Sequence, residues 1–385
     1  MADQNAEAPV QLQEIPLGPS GQFRLGVATL NRPKSLNALG RDMIGALLDQ
    51  LPRWAEDPNI VAVWLDGEGD RAFCAGGDVV QVYLAMTSDD EDTEATALDY
   101  FSHEYRLDHL IHVYPKPLIC WGDGIVMGGG LGLMAGAGTR VVTERTRIAM
   151  PEVTIGLFPD VGGSWFLNRM PGHTGRFIGL TGAQLNATDA LFAGLADRFI
   201  PHQEQEHVLQ ALRDEHWSGD PHQDQARLDR LLRRFSHLGN GKRHAMPESP
   251  LRRHFDRISE LVDHPTLAET VHAITGLTDR DDWLQKAAAT LRHGSPTAAH
   301  VINEQLMRAR HWSLAETFRH ELVLALNCCR LGEFQEGVRA LLIDKDRKPH
   351  WRYPDVESVE RTFVEAHFEN TLTENPLADL GTSSS

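Results

Sequence analysis

Apolar and polar positions change their period several times along this chain, and each change marks an element. Residues 23–31 alternate in the manner of a half-buried strand and stop at Arg32-Pro33. From Arg41 to Trp54, the residues Met43, Ile44, Leu47, Leu48 and Leu51 recur at three- and four-residue intervals, which predicts a helix ended near Pro58. Ile60 to Asp66 is a continuous apolar run and reads as a buried strand. A tight loop from Gly67 to Asp78 then leads into another helix. The acidic run Ser88 to Glu94 predicts a solvated bend. Asp99 to His112 is helical until Pro115 and Pro117, and Leu118 to Trp121 is a strand. Gly128 to Ala137 starts as a glycine turn and continues as a helix, and Arg140 to Thr143 is again a strand.

That ββα-like alternation over residues 20–200 predicts an α/β core. Beyond Pro201 the period is helical, amphipathic and free of strand candidates. Serine caps and proline opens a helix at Ser295-Pro296, and Ser313-Leu-Ala-Glu316 is a capping box. The organisation expected is therefore a flexible tail (1–20), an α/β core (21–200), a helical extension (201–294), a second helical region (295–369) and a disordered end (370–385). No internal repeat is visible.

Composition narrows the function classes. A net charge of −17 over 385 residues argues against a broad nucleic-acid or anionic-membrane surface, while leaving room for a local cluster of Lys or Arg around a small anion. No apolar run reaches membrane-spanning length. The four cysteines, Cys74, Cys120, Cys328 and Cys329, have neither metal-ligand nor disulfide-framework spacing. With an acidic, polar N-terminal stretch, they read as reduced thiols of a cytoplasmic protein. The scattered histidines offer no ligand pair, so no metal is expected.

Candidate chemistry concentrates in three segments. Met150 to Gly163 carries two carboxylates, Glu152 and Asp160, among prolines, glycines and the apolar Val153, Ile155, Leu157 and Phe158. Carboxylates in an apolar loop are pushed towards the pKa range useful for proton transfer; the plainer alternative is that Asp160 caps a helix beginning near Gly163. Phe73 to Asp78 and Gly124 to Gly132 are both glycine-rich loops running into helices, where free N–H groups and the helix dipole favour negative charge. If these two loops faced each other, they would offer two amides to one oxygen, an oxyanion hole; singly, each could be a packing device. A rival reading is dinucleotide binding, because Gly130-Leu-Gly132-Leu-Met-Ala135 fits the G-x-G-x-x-A pattern and Glu144 could take a ribose. That match lies far from the first βαβ unit and leaves the two acids without a role.

These residues carry a resemblance to the crotonase (enoyl-CoA hydratase/isomerase) superfamily, and within it to the 3-hydroxyisobutyryl-CoA hydrolases. The matching pieces are Leu30-Asn-Arg-Pro-Lys34-Ser-Leu-Asn-Ala-Leu39, Ala72-Phe-Cys-Ala-Gly-Gly-Asp78, Met127-Gly-Gly-Gly130, Ala149 to Gly163, and Phe334-Gln-Glu-Gly-Val-Arg-Ala-Leu-Leu-Ile-Asp-Lys345. The resemblance implies a crotonase-like spiral of ββα units with a helical C-terminal region. It implies that the Gly77 and Gly129 amides hold a thioester oxygen, that Glu152 and Asp160 are the catalytic acids, and that Glu104 contacts substrate. It further implies that Lys34, Ala75, Gly77 and Val79 touch the CoA moiety, which is part of the substrate and not a separate cofactor. Trimers and hexamers are common in the superfamily, so the resemblance allows a homo-oligomer while the sequence leaves the oligomeric state open.

Two departures bear on the reaction that the resemblance implies. Similar hydratases carry a second glutamate where this chain has Gly132, and a small residue where it has Asp160. Hydration uses both glutamates, so the pattern favours hydrolysis of a short branched 3-hydroxyacyl-CoA, as in valine catabolism, over the hydratase or isomerase alternative. A non-catalytic CoA-ester-binding or dinucleotide-binding chain is the reading from a different class.

Overall fold

The computed structural model describes residues 8–87, 93–236 and 246–382. Nine strands occur among them: β1 (Val10–Leu17), β2 (Phe23–Leu30), β3 (Ile60–Gly67), β4 (Ala72–Cys74), β5 (Leu118–Gly122), β6 (Ile125–Met127), β7 (Thr139–Val142), β8 (Arg147–Ala149) and β9 (Arg198–Phe199). The larger sheet has the order β1-β2-β3-β5-β7-β9, and β4-β6-β8 form a smaller one. Only β1/β2 is antiparallel in the larger sheet; its remaining pairs are parallel. In chain order β3-β4, β5-β6 and β7-β8 each place one strand in the large sheet and the next in the small one, followed by helix. This ββα unit recurs without sequence self-similarity, which is why the sequence shows no repeat.

The chain groups into two compact units, each assembled from three segments. The first comprises residues 1–77, 110–148 and 185–249, the second 78–109, 149–184 and 250–385. The helices after Pro201 are thus divided at residue 249 between the two units rather than forming one extension to residue 294.

The first unit contains the large sheet. Leu25, Ala62, Trp64, Ile119, Trp121 and Val141 form its buried centre, with Val208, Leu212, Leu228 and Leu232 supplied by helices Gln205–Asp214 and Pro221–Phe235. Trp64 and Trp121, on neighbouring parallel strands, stack with ring centroids 5.3 Å apart. Burying such apolar faces is the main favourable term for a sheet of this kind.

Both expected tails need correcting. Val10–Leu17 is not a loose end but a full antiparallel partner of β2, joined to it through Gly18 and Gly21, both at positive φ. Apolar residues at two-residue spacing, Val10 with Leu12 and Ile15 with Leu17, before a Gly-Pro-Ser-Gly turn are the hairpin signal for this, though Gln13-Glu14 break the period between the two pairs. At the other end, Leu377 and Leu380 are buried, Arg319 Nη1 donates to the Leu380 carbonyl at 2.8 Å, and Arg106 makes a bidentate pair with Asp379 at 2.8 Å. Packed apolar side chains order residues 370–382, despite their polar composition. Of the predicted acidic bend, Ser88 to Asp92 lie outside the described residues.

The second unit is helical and holds the Met150 to Gly163 loop. Gly156 has φ +68°, and a Cβ there would lie 2.5 Å from the Glu333 carbonyl oxygen. Gly337 reciprocates, since its Cβ would lie 2.3 Å from the Ile155 carbonyl carbon. These backbone-to-backbone contacts explain the Phe334 to Lys345 motif: it is a brace for the loop, with Phe334 and Val338 fully buried.

Candidate active site

In the first unit the Lys34 loop and both glycine-rich loops are brought together. Asn37, fully buried and at φ 54°, accepts from Arg32 N (2.8 Å) and donates to the carbonyls of Glu68 (3.0 Å) and Ala72 (2.9 Å). Its neighbour Leu36 accepts from Ala75 N at 3.0 Å, which fixes the loop bearing Lys34 beside Ala75. Lys34 itself is exposed on the short turn Pro33–Ser35.

The glycine-rich loops are neighbours because β4 and β6 pair in parallel. A Cβ on Gly76 (φ +117°) would lie 3.4 Å from the Met127 carbonyl oxygen, and one on Gly130 would lie 2.3 Å from that of Cys74. Gly128 (φ 47°) turns the chain into helix Gly129–Gly136, where Leu131 N and Gly132 N donate back to the Gly128 carbonyl. Gly129 therefore sits in the first helical turn, where amides have no intrahelical acceptor. The glycine at 130 is required by packing against Cys74, which accounts for it without a dinucleotide.

In the second unit the acids gather. Glu104, Asp108, Glu152, Asp160 and Glu321 are each at most 5% exposed. Glu152 begins the turn Glu152–Ile155, and its Oε2 has no hydrogen-bond partner. Burial first, then the Asp160 charge, holds its pKa well above the usual carboxylate range. Asp160 is raised by burial to about 6, opposed by a hydrogen bond from Tyr105, whose hydroxyl donates to Oδ2 at 2.7 Å. Its side chain caps nothing: Gly162 is the N-cap of helix Gly163–Leu167 and makes no side-chain cap bond.

Asp160 opens a tight turn in which Val161 (φ 52°) and Gly162 (φ 82°) both have positive φ, closed by Gly163 N donating to the Asp160 carbonyl at 2.6 Å. A β-branched residue in that region is strained. Glu321 holds the turn: Oε2 accepts from Gly162 N at 2.8 Å and Oε1 from Ser164 N at 2.9 Å.

Tyr105, Asp108 and Glu321 were not singled out in the sequence. Glu104 and Asp108 stand four apart on helix Thr93–His112, hence on one face, and that spacing is the signal that could have found Asp108. Glu321 interrupts the buried stretch of helix Leu314–Leu331. Val79 also belongs to this unit, immediately before helix Val80–Thr87. Among the described residues no group of His, Cys, Asp and Glu side chains could hold a metal ion, and no helix is long and apolar enough to cross a membrane.

The first unit supplies a parallel sheet with paired glycine-rich loops and the second a set of buried acids of raised proton affinity, equipment that marks the class as an α/β enzyme. The family model of enoyl-CoA hydratase/isomerase matches residues 25–368. The chain is 38% identical over 347 residues to the mitochondrial 3-hydroxyisobutyryl-CoA hydrolase of Gallus gallus, covering 89% of this chain and 86% of that protein. It is 34% identical over 357 residues to 3-hydroxyisobutyryl-CoA hydrolase 1 of Arabidopsis thaliana, covering 91% and 90%. Among solved structures, a carnitinyl-CoA dehydratase from Mycobacterium thermoresistibile superposes with TM-score 0.82 at 33% identity, covering 96% of this chain and 99% of that one. An enoyl-CoA hydratase from Rhodobacter sphaeroides gives 0.79 at 34%, covering 94% and 97%. The chain belongs to the enoyl-CoA hydratase/isomerase family and has the crotonase fold.

The same relatives correct one expectation. Those from Gallus gallus, Xenopus tropicalis and Homo sapiens are named as mitochondrial, so the cytoplasmic assignment does not stand. Free thiols separate a reducing compartment from an oxidising one, and do not distinguish between reducing compartments.

Proposed function

We propose that this chain hydrolyses the thioester of 3-hydroxyisobutyryl-CoA, giving 3-hydroxyisobutyrate and free CoA, a step of valine catabolism. The observation that carries the reading is the buried, electrostatically coupled Glu152 and Asp160 in a chain matched over about nine-tenths of its length by relatives bearing that name.

The Gly77 and Gly129 amides take the thioester oxygen as it becomes an oxyanion, each contributing about 3 kcal/mol to the barrier reduction. Glu152 either removes a proton from the attacking water or attacks the carbonyl carbon itself, forming an anhydride that water then opens. Asp160 protonates the departing CoA sulfur or receives the substrate hydroxyl, and Glu104 contacts the acyl group. Lys34, Ala75, Gly77 and Val79 hold the CoA portion, with Lys34 supplying positive charge on an acidic protein.

Release of free thiol from 3-hydroxyisobutyryl-CoA, followed with a thiol-reactive dye, tests this directly. Glu152→Gln lowers turnover at least about 100-fold while CoA binding and the circular dichroism spectrum persist; undiminished turnover in that variant would overturn the assignment.

The hydratase reading has support of its own in the solved structures described as an enoyl-CoA hydratase and a carnitinyl-CoA dehydratase. It predicts loss of enoyl-CoA absorbance without thiol release. Gly132, where similar hydratases carry their second glutamate, weighs against it.

A further inference from the structure

We infer that Tyr105 is a positioning residue for Asp160, its hydroxyl claiming Oδ2 so that Oδ1 is the oxygen left to meet substrate. This rests on the reading that Asp160 works at the thioester. Tyr105 is fully buried on helix Thr93–His112, and its ring lies against Phe101 (centroids 5.8 Å) and Phe318 (6.0 Å). Packing on both neighbours leaves the hydroxyl little freedom, and it meets Oδ2 at 2.7 Å. From the other side Glu321 fixes the turn through the Gly162 and Ser164 amides, so the Asp160 backbone and one carboxylate oxygen are both held.

The surroundings make this side-chain donor decisive, since beside it only the Asp160 backbone N–H opposes the effect of burial. Asp160 is coupled to Glu104, Asp108 and Tyr105 from helix Thr93–His112, to Glu152 from its own loop, and to Glu321, Cys328 and Cys329 from helix Leu314–Leu331. His109, edge-on to Phe318 at 6.1 Å, has its pKa lowered by burial. The carboxyls and thiols in this set offer Asp160 no cation. Among the described residues, the Tyr105 hydroxyl is the side-chain donor that reaches it. Without the Tyr105 hydroxyl, burial would drive Asp160 further towards its neutral form.

The test compares wild type, Tyr105→Phe, Asp160→Asn and a control, Tyr114→Phe. The control removes a half-buried hydroxyl that donates to the Leu51 carbonyl at 2.8 Å and has no bond to any of these acids. Asp160 protonation is read by infrared titration of the carboxyl band that Asp160→Asn abolishes, and in parallel by the pH profile of thiol release. Tyr105→Phe moves both midpoints upward by roughly one to two pH units and lowers kcat more than it raises KM; Tyr114→Phe moves neither.

A fluorinated tyrosine installed at position 105 keeps the ring and strengthens the donor, so it shifts the midpoints down. That variant decides the matter if Tyr105→Phe fails to fold. An infrared midpoint unchanged by either substitution overturns the inference. If the infrared midpoint shifts in a protein that releases no thiol from any 3-hydroxyacyl-CoA, the positioning stands and the proposed function falls.

Discussion

Glu321→Gln isolates the strut beneath the Asp160 turn. The native carboxyl is fully buried and receives two amide N–H bonds, at 2.8 and 2.9 Å. Glutamine keeps the shape but presents an NH2 to one of those amides, leaving a buried donor without an acceptor, at a cost of about 1–3 kcal/mol. The pH dependence is more diagnostic than the loss itself. Burial, opposed by the hydrogen bonds from Ser164 and Gly162, raises Glu321 from 4.5 to about 8. Across that window the folded chain keeps a proton that the unfolded chain has released. The stabilisation is therefore complete below about pH 4.5 and is lost as pH rises towards 8. Three and a half pH units at about 1.36 kcal/mol each make roughly 5 kcal/mol. Glutamine has no such dependence. Denaturant unfolding of both proteins between about pH 5 and pH 8 should show wild type ahead at the acidic end and its advantage shrinking, or reversing, at the alkaline end. A difference that stays constant with pH, or grows towards pH 8, would refute the assignment of a buried neutral Glu321.

Two backbone sites provide further tests. Gly156→Ala places a Cβ 2.5 Å from the Glu333 carbonyl oxygen at a φ of +68°, so stability falls by about 2 kcal/mol or more. Turnover should drop with it, because Gly156 N closes the turn that carries Glu152; a thermal scan matching wild type would show the brace to be unimportant. Asn37→Ala removes the three hydrogen bonds of a fully buried side chain, one from Arg32 N and two to the carbonyls of Glu68 and Ala72. A loss of roughly 2–4 kcal/mol is expected by chemical denaturation, together with weaker CoA binding by titration as the Lys34 loop loosens.

The elements that could be read from sequence were those whose own residues determine them. Helix Arg41–Glu56 follows from its apolar spacing, and β3 and β5 from their apolar runs. β4, β6, β8 and β9 have three residues or fewer, too short for any period to register. Their pairing is tertiary, yet it is what sets Gly76 against Met127. Likewise Glu152 and Asp160 could be found because they share one loop with its prolines and glycines. Tyr105 and Glu321 are separated from Asp160 by 55 and 161 positions of chain and carry no local mark. Asn37 lay inside a recognised segment, but its role depends on Glu68 and Ala72, which only folding brings near. Motif reading finds groups that the chain places together; the groups that hold them in place are found by the fold.

That division also separates acids kept for chemistry from acids kept for structure. Glu321 has both oxygens bonded to amides and would be explained by the turn alone. By contrast, Asp108 has neither oxygen partnered, and Glu104 Oε1 and Glu152 Oε2 also lack partners. A buried carboxyl without a donor is destabilising by about 1–3 kcal/mol even when neutral. An apolar side chain of similar volume would serve the packing better. No cation compensates within this set: what raises the three pKa values is burial and the neighbouring carboxylates. Natural sequences tolerate such conflicts chiefly where function requires them. On the proposed function, Asp108, which no motif announced, would join Glu104, Glu152 and Asp160 in handling protons, whereas Glu321, with both oxygens bonded to amides, is explained by the turn it holds. Asp108→Asn and Glu321→Gln should therefore diverge. The first should change the pH profile of thiol release with little loss of stability. The second should lose stability first and turnover only as a consequence.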